Sequence, residues 1–282
     1  MERIMEYFNG NRIQPGSTFL NGENRSFLFG DGVFETIRIH DGKPLFWRDH
    51  LERLQFGMDR LMLEHPTDDF GSMISHTISE IIATEKVSNA RMRITIFRHS
   101  GGLYTPDELS SSWYLTIKDH STEPESKNDS DELIAILFTD IRKENSLLSR
   151  IKTTSSLLYV MAGIHARMNG AHESIILNPD GRVVESHTSN LFIVKDGVFQ
   201  TPPLSEGCID GVMRRQLIGV MNRNGIELRE QPLTKADLVN ADEILLSNVM
   251  HWARNVTRFG TKNYQESWAP RLNKIILDNL VS

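Results

Sequence analysis

A polar, acidic segment near the middle of the chain, residues 119–131, constrains the fold more than any other feature of the sequence. It has no apolar periodicity and is typical of a solvated connection between folded parts. A chain of 282 residues is long enough for two domains that each bury a core of their own. We therefore predict a smaller N-terminal domain over 1–118, a linker over 119–131 and a larger C-terminal domain over 132–282.

Both predicted domains mix strand and helix patterns. In the first, residues 33–39 alternate as a half-buried strand does, whereas apolar residues recur at helical spacing from Leu51 to Leu61. In the second, short apolar runs are separated by turn dipeptides such as Asp180-Gly181 and Asp196-Gly197. These patterns predict an α+β fold with two domains.

The composition argues against several classes of protein. A formal net charge of −6 gives no general attraction to nucleic acid or to anionic lipid. No run approaches the ~20 apolar residues of a membrane span, and the N-terminus lacks the apolar core of a signal peptide. The single cysteine, Cys208, cannot form an internal disulfide, and the ten histidines show no metal-ligand spacing. We expect a cytoplasmic protein with no metal site, no nucleic-acid partner and no membrane partner.

A lysine just before a predicted helix and a glutamate at the end of a later strand are the most informative candidates for catalysis. Lys152 precedes a helical pattern, and Glu185 ends a strand pattern. An amine can form a Schiff base with a carbonyl cofactor, and a carboxylate can hold a pyridine nitrogen protonated. These are the two protein groups that chemistry with pyridoxal phosphate requires.

Five motifs follow one another in a set order: residues 30–36, 50–54, 152–154, 185–190 and 211–214. In this order the chain resembles the class IV aminotransferase family, the fold-type IV pyridoxal phosphate enzymes. This family includes branched-chain aminotransferases, D-amino acid aminotransferases and 4-amino-4-deoxychorismate lyases. The resemblance runs from about residue 7 to about residue 256. It implies pyridoxal 5'-phosphate as the cofactor, a cleft between two domains as its place, and a homodimer.

The resemblance also implies roles for individual residues. Lys152 would be the Schiff-base lysine and would carry the proton of the substrate Cα, and Glu185 would pair with the pyridine nitrogen. Arg53 would bind the cofactor phosphate with its planar guanidinium, together with the backbone N–H groups of Val212 and Met213 at a helix start. The last phosphate loop would consist of Ser247, Asn248 and Val249.

Three residues are candidates for the substrate site. Phe34 stands where D-amino acid aminotransferases carry tyrosine, which counts against a D-amino acid enzyme. Arg93 and Arg98 belong to a strand and loop that look like a segment of the lyases, and either arginine could bind a substrate carboxylate. Thr36 stands where branched-chain enzymes place glycine.

The reading that we place first is a class IV aminotransferase that acts on a small amino acid, an amino and carboxylate substrate, through an external aldimine. The alternative within the family is a 4-amino-4-deoxychorismate lyase that releases pyruvate and 4-aminobenzoate. The alternative from another class is a cofactor-binding protein without turnover.

Overall fold

The structure of the protein, a computed structural model, describes residues 4–17, 20–120, 132–265 and 267–281. Its contacts divide these residues between two units. The first comprises the described parts of Met1–Ser121 and of Ile151–Ser156, and the second those of Thr122–Arg150 and of Leu157–Ser282. Residues 121–131 of the predicted linker lie outside the described residues, so the boundaries drawn from the sequence stay a prediction.

The first unit is built on a six-stranded antiparallel sheet in the order β2-β1-β6-β5-β3-β4. Its strands are β1 (Ile4–Phe8), β2 (Asn11–Ile13), β3 (Gly32–His40), β4 (Lys43–Pro44), β5 (Ala90–Arg98) and β6 (Ser111–Asp119). Its helices are α1 (Arg25–Phe29), α2 (Trp47–Arg60) and α3 (Phe70–Glu85). Strand β3 confirms the strand predicted over 33–39, and α2 contains the predicted helical stripe except its last residue, Leu61, which caps the helix.

The core of the first unit lies where α2 and α3 cover the sheet. Val33 and Ile37 of β3, Leu54 and Met58 of α2, and Ile78 of α3 belong to one buried apolar cluster. Because side chains alternate along a strand, Glu35 shares the face of Val33, whereas Phe34 lies on the opposite face. The strand therefore directs one acidic side chain towards the helices and one aromatic side chain away from them.

The second unit contains two five-stranded sheets. One has the order β16-β15-β7-β8-β9, built from β7 (Ile134–Phe138), β8 (Glu173–Leu177), β9 (Val183–Ser186), β15 (Arg258–Phe259) and β16 (Lys262–Asn263). The other has the order β12-β11-β10-β13-β14, built from β10 (Asn190–Lys195), β11 (Val198–Thr201), β12 (Leu228–Glu230), β13 (Glu243–Asn248) and β14 (Trp252–Asn255). The helices are α4 (Leu157–Met168), α5 (Val212–Arg223), α6 (Lys235–Asn240) and α7 (Trp268–Val281), and Leu148–Arg150 and Leu204–Glu206 form short 3-10 turns.

Two features of this unit position the residues considered below. Helix α4 connects β7 to β8, which pair in parallel, as a crossover connection requires. Strand β9 pairs antiparallel with β8, which brings Glu185 opposite Ile176 in the buried part of the sheet. Among the described residues, no helix combines the length and the apolar content that crossing a membrane requires.

The segment that carries Lys152 belongs to the first unit, whereas the sequence analysis placed it in the C-terminal domain. Thr153 forms a β-bridge with Val33, and the side chain of Ile151 is part of the first unit's core. The difference has a physical reason. Extended residues just before a helix satisfy their backbone groups on any strand within reach, and a local pattern does not specify which strand that is.

Candidate functional site

Backbone hydrogen bonds on both sides fix Lys152 against strand β3. The N–H of Phe34 donates to the carbonyl oxygen of Lys152 at 2.9 Å, and the N–H of Thr154 donates to the carbonyl oxygen of Gly32 at 2.9 Å. The hydroxyl of Thr154 also donates to the carbonyl oxygen of Gly30 at 2.7 Å. The Lys152 amine thus extends from a rigid piece of backbone, and its Nζ lies 4.6 Å from the centre of the Phe34 ring.

The same aromatic ring contacts a second cation, Arg93 of strand β5. The Cζ atom of Arg93 lies 3.6 Å from the centre of the Phe34 ring, within the range of a cation–π contact. Arg93 pairs with Thr36, two residues along β3 from Phe34 and therefore on the same face. The amine of Lys152 and the guanidinium of Arg93 thus both contact the ring of Phe34.

Arg93 is a partly desolvated cation. Burial, with a smaller contribution from Arg91, lowers its pKa to about 10, so the guanidinium is still charged at pH 7. Within the described part of the chain it has neither a hydrogen-bond nor an ion-pair partner. An anion brought to this position would therefore find a charge with little competition from protein groups.

Arg98, the other arginine considered for a substrate carboxylate, has a different environment. Its Nε donates to Asp31 at 2.9 Å, and its two terminal nitrogens donate to the carbonyl oxygens of Met62 and Leu61 at 2.8 and 2.6 Å. The side chain is 5% exposed. These bonds join the end of β5 to the residues after α2, so Arg98 serves the fold, and they do not support a substrate contact.

Arg53 lies in a buried network with Glu35 and His50. Its Nε and Nη2 donate to the two carboxylate oxygens of Glu35 at 2.7 and 2.6 Å, and His50 Nδ1 lies 2.7 Å from Glu35 Oε2. This is the side-on bidentate geometry that was predicted for a phosphate, but here a carboxylate occupies it. A phosphate contact of Arg53 would have to use the outer Nη1–Nη2 side of the guanidinium.

The charges of this network shift two pKa values. Burial alone would raise the pKa of Glu35, but Arg53 and His50 together outweigh it and lower that pKa to about 2. Burial lowers the pKa of His50 against the opposing attraction of Glu35. The network at neutral pH is therefore an arginine–carboxylate pair with a neutral histidine donating to it.

Glu185, in the second unit, accepts hydrogen bonds on both carboxylate oxygens. Oε1 accepts from Lys143 Nζ at 2.5 Å and from the Tyr159 hydroxyl at 2.8 Å. Oε2 accepts from the N–H of Ile209 at 3.0 Å and lies 3.4 Å from Asn190 Nδ2. The carboxylate is buried, and these donors fix its orientation.

The sequence analysis missed Lys143 and Tyr159. Tyr159 lies on the same face of α4 as the buried residues Ala162 and Ala166, so the helical spacing could have indicated an inward-facing hydroxyl. Burial and the charge of Glu185 raise the pKa of Tyr159 well above its usual value, so it remains a donor. Lys143 has no such local signal, because the residues that bury it come from distant parts of the chain.

The residues other than Arg53 that were assigned to a phosphate lie at two places in the second unit. Val212 and Met213 form the first turn of α5, whose N–H groups have no acceptor inside the helix. The residue before them, Gly211, is packed so closely against the side chain of Asn190 that any Cβ would clash with it. Because Gly211 has no side chain, it cannot cap these N–H groups.

The second place is the end of strand β13. Ser247 is buried, and its Oγ has no hydrogen-bond partner within the part of the chain that the structure describes. Asn248 is tied up in the following turn, because its Oδ1 accepts from the N–H groups of Met250 and His251 at 3.0 Å. Of the predicted loop, Ser247 offers a side-chain donor, whereas Asn248 shapes the turn that holds Val249.

Comparison with known proteins gives independent evidence about this chain. The family model for amino-transferase class IV matches residues 32–259. The chain is 26% identical over 243 residues to a D-alanine aminotransferase of Listeria monocytogenes, an alignment that covers 85% of this chain and 82% of that protein. It is 29% identical over 229 residues to an aminodeoxychorismate lyase of Vibrio harveyi, covering 80% and 82%.

Solved structures resemble the fold over nearly the whole chain. The branched-chain amino acid aminotransferase of Escherichia coli superimposes with a TM-score of 0.87 at 24% identity. The match covers 97% of this chain and 93% of that one. It confirms the predicted α+β, fold-type IV architecture.

The buried side chain of His50 should make the stability of the protein depend on pH. Because the folded-state pKa of His50 is lowered, the unfolded chain binds the proton more readily, and stability is lost as pH falls below about 6.5. His50→Asn keeps a donor towards Glu35 but cannot titrate. Urea unfolding at pH 7 and pH 5 should show a smaller loss of unfolding free energy in this variant than in the wild type. His76→Asn, at an exposed histidine, is the control, and equal losses in wild type and His50→Asn would refute the interpretation.

Proposed function

Because the chain belongs to the class IV aminotransferase family, whose enzymes use pyridoxal 5'-phosphate, we propose that it is a transaminase of small amino acids. The observation that carries the proposal is the shared contact of Lys152 and Arg93 with the ring of Phe34. A transaminase needs an amine that moves the proton of the substrate Cα and a cation that holds the substrate carboxylate. Arg93 supplies the cation from β5, and Lys152 supplies the amine from the segment that is hydrogen-bonded to β3.

The residues present fit the cofactor. Pyridoxal phosphate has an anionic phosphate and a pyridine ring, and, when bound, it supplies the electron sink for the bond broken at the substrate carbon. For the phosphate we propose the first-turn N–H groups of α5, the buried hydroxyl of Ser247, whose Oγ lacks a partner among the described residues, and Arg53. Asn248 and Val249 would complete the loop through their backbone.

Glu185 would hold a proton on the pyridine nitrogen. A buried carboxylate that is kept ionised is suited to this task, because it favours the positively charged form of a neighbouring base. Asn190 and the N–H of Ile209 fix its orientation. Tyr159, whose raised pKa keeps its own proton in place, remains a hydrogen-bond donor and does not compete for this proton.

Lys152 would bind the cofactor through Nζ and then serve as the base that removes the Cα proton and returns it. Its backbone bonds to β3 limit where the amine can reach, which is the positioning that proton transfer at one atom requires. Phe34 would define the floor beneath the substrate, and Arg93 would bind its carboxylate. We do not assign a substrate role to Arg98, because its donors are used in the fold.

An aminodeoxychorismate lyase is the second candidate. Its support is the 29% identity over 229 residues to the aminodeoxychorismate lyase of Vibrio harveyi. Such a lyase would use the same amine, carboxylate and carboxylate-binding arginine, but it would expel pyruvate in place of transferring the amino group. The two candidates therefore differ in whether a second substrate is needed.

We further propose that the chain is a cytoplasmic homodimer. Helix α4 exposes a stripe of apolar side chains at helical spacing, on the face opposite Tyr159: Leu157, Val160, Met161 and Met168. Exposed apolar side chains that form one stripe are typical of an interface between subunits. The cytoplasmic location rests on the single cysteine, which suits a reducing compartment.

Borohydride reduction should fix the cofactor to Lys152, because its Nζ is the amine proposed to bind the cofactor aldehyde. Mass spectrometry of a digest locates the modified peptide. Lys143, the buried lysine of the second unit, is the internal control and should stay unmodified. A reduced adduct on Lys143 or on any other lysine would show that the assignment is mistaken.

Arg93→Gln should raise the KM for the amino acid donor by about 10–100-fold, since a hydrogen bond to a charged group is worth about 1.5–3 kcal/mol. The affinity for the cofactor should stay unchanged. Arg91→Gln is the matched control, because Arg91 lies on the same face of β5, two residues away. An unchanged KM for every donor that the enzyme accepts would remove Arg93 from the substrate site.

A single amino donor without an acceptor separates the two reactions. A transaminase should convert its bound cofactor to the aminated form once per site, because the amino group has nowhere else to go, and absorbance spectroscopy records this single burst. The protein is a lyase if no common L- or D-amino acid gives the burst and aminodeoxychorismate alone yields pyruvate continuously.

A further inference from the structure

Lys143 is a buried lysine to which the functions above assign no role. Its side chain is 6% exposed, and its Nζ lies 2.5 Å from Oε1 of Glu185. Burying an ammonium group is costly unless a partner of opposite charge compensates it, and Glu185 is that partner. Lys143 and Glu185 therefore form a buried ion pair in this site.

The backbone around Lys143 directs its side chain towards the carboxylate. Its N–H donates to the carbonyl oxygen of Leu177, at the end of β8, at 2.9 Å. Its Nζ also lies 5.3 Å from the centre of the Tyr159 ring, so the amine contacts the same helix whose hydroxyl bonds to Glu185. The backbone of Lys143 is thus bound to β8, and β8 pairs with β9, the strand that carries Glu185.

Lys143 differs from the other donors to Glu185 in its charge. Four protein donors lie 2.5–3.4 Å from the two oxygens of Glu185. Tyr159, Ile209 and Asn190 donate from neutral groups. Among the described residues that contact this carboxylate, Lys143 is the one cation.

We propose that Lys143 is a positioning residue that pairs with Glu185 and shares the negative charge of this carboxylate with the pyridine nitrogen of the cofactor. The inference rests on the proposed role of Glu185. A carboxylate that is already paired with an ammonium attracts a second cation less strongly than an unpaired one does. Lys143 would therefore limit how firmly the protein holds a protonated pyridine, and the charge at the ring would be set by two residues.

The proposal predicts that removing Lys143 makes the protein bind the cofactor more tightly. Lys143→Met leaves Glu185 buried without a cation, so the protein without cofactor should lose stability. A protonated pyridine then becomes the sole compensating charge, and the dissociation constant for pyridoxal phosphate should fall by about tenfold, the equivalent of one pKa unit. A lysine with a merely structural role would weaken cofactor binding when removed, or leave it unchanged.

The experiment measures the dissociation constant of pyridoxal phosphate by tryptophan fluorescence, and the unfolding temperature, for the full chain. Lys143→Arg keeps the charge and should bind the cofactor as wild type does. Lys195→Met, at a half-exposed lysine paired with Asp242, controls for the effect of replacing any lysine by methionine. In a Glu185→Gln background, Lys143→Met should no longer tighten binding, because there is no carboxylate charge left to share.

The outcomes separate this inference from the proposed function. If Glu185→Gln binds the cofactor as wild type does, the role of Glu185 fails, and the inference fails with it. If Glu185→Gln weakens binding but Lys143→Met does not tighten it, or if Lys143→Arg behaves like Lys143→Met, the inference alone is overturned. Should Lys143→Met not fold, the double variant, which removes both charges, should fold, and its failure to fold would also overturn the inference.

Discussion

The backbone hydrogen bonds between β3 and the segment carrying Lys152 are the constraint on which the proposed chemistry depends. A lysine side chain is long and flexible, so its amine can serve one reacting atom only if its backbone is fixed. Here two backbone bonds, at Phe34 and at Thr154, supply that fixation. Because the ring of Phe34 also contacts Arg93, a shift of register in β3 would displace both cations at once.

Each unit buries a carboxylate and pairs it with a protein cation. Glu35 is bound by Arg53 beside a neutral His50, and Glu185 by Lys143 among neutral donors. A buried ion pair seldom stabilises a protein more than a well-packed apolar cluster would. In the proposed function, the first of these carboxylates orients an arginine, and the second provides a fixed negative charge.

The sequence was enough to predict the family and the α+β fold, because both depend on local patterns and on the order of short motifs. It made Lys152 and Glu185 candidates for the same reason, and their roles stay predictions. It could not show that Lys143 reaches Glu185, or that Arg98 is used by Asp31 and two carbonyl oxygens, because these contacts join residues far apart in the chain. It also assigned Lys152 to the second domain, since no local pattern reveals that Thr153 pairs with Val33.

The most direct test of the account is a crystal structure of the protein grown with pyridoxal 5'-phosphate. The account predicts continuous electron density from Lys152 Nζ to the cofactor, with the pyridine nitrogen within hydrogen-bond distance of a Glu185 oxygen. It also predicts the phosphate at the first turn of α5 and at Ser247. A cofactor attached to another lysine, or a ring nitrogen that faces a group other than Glu185, would contradict the account.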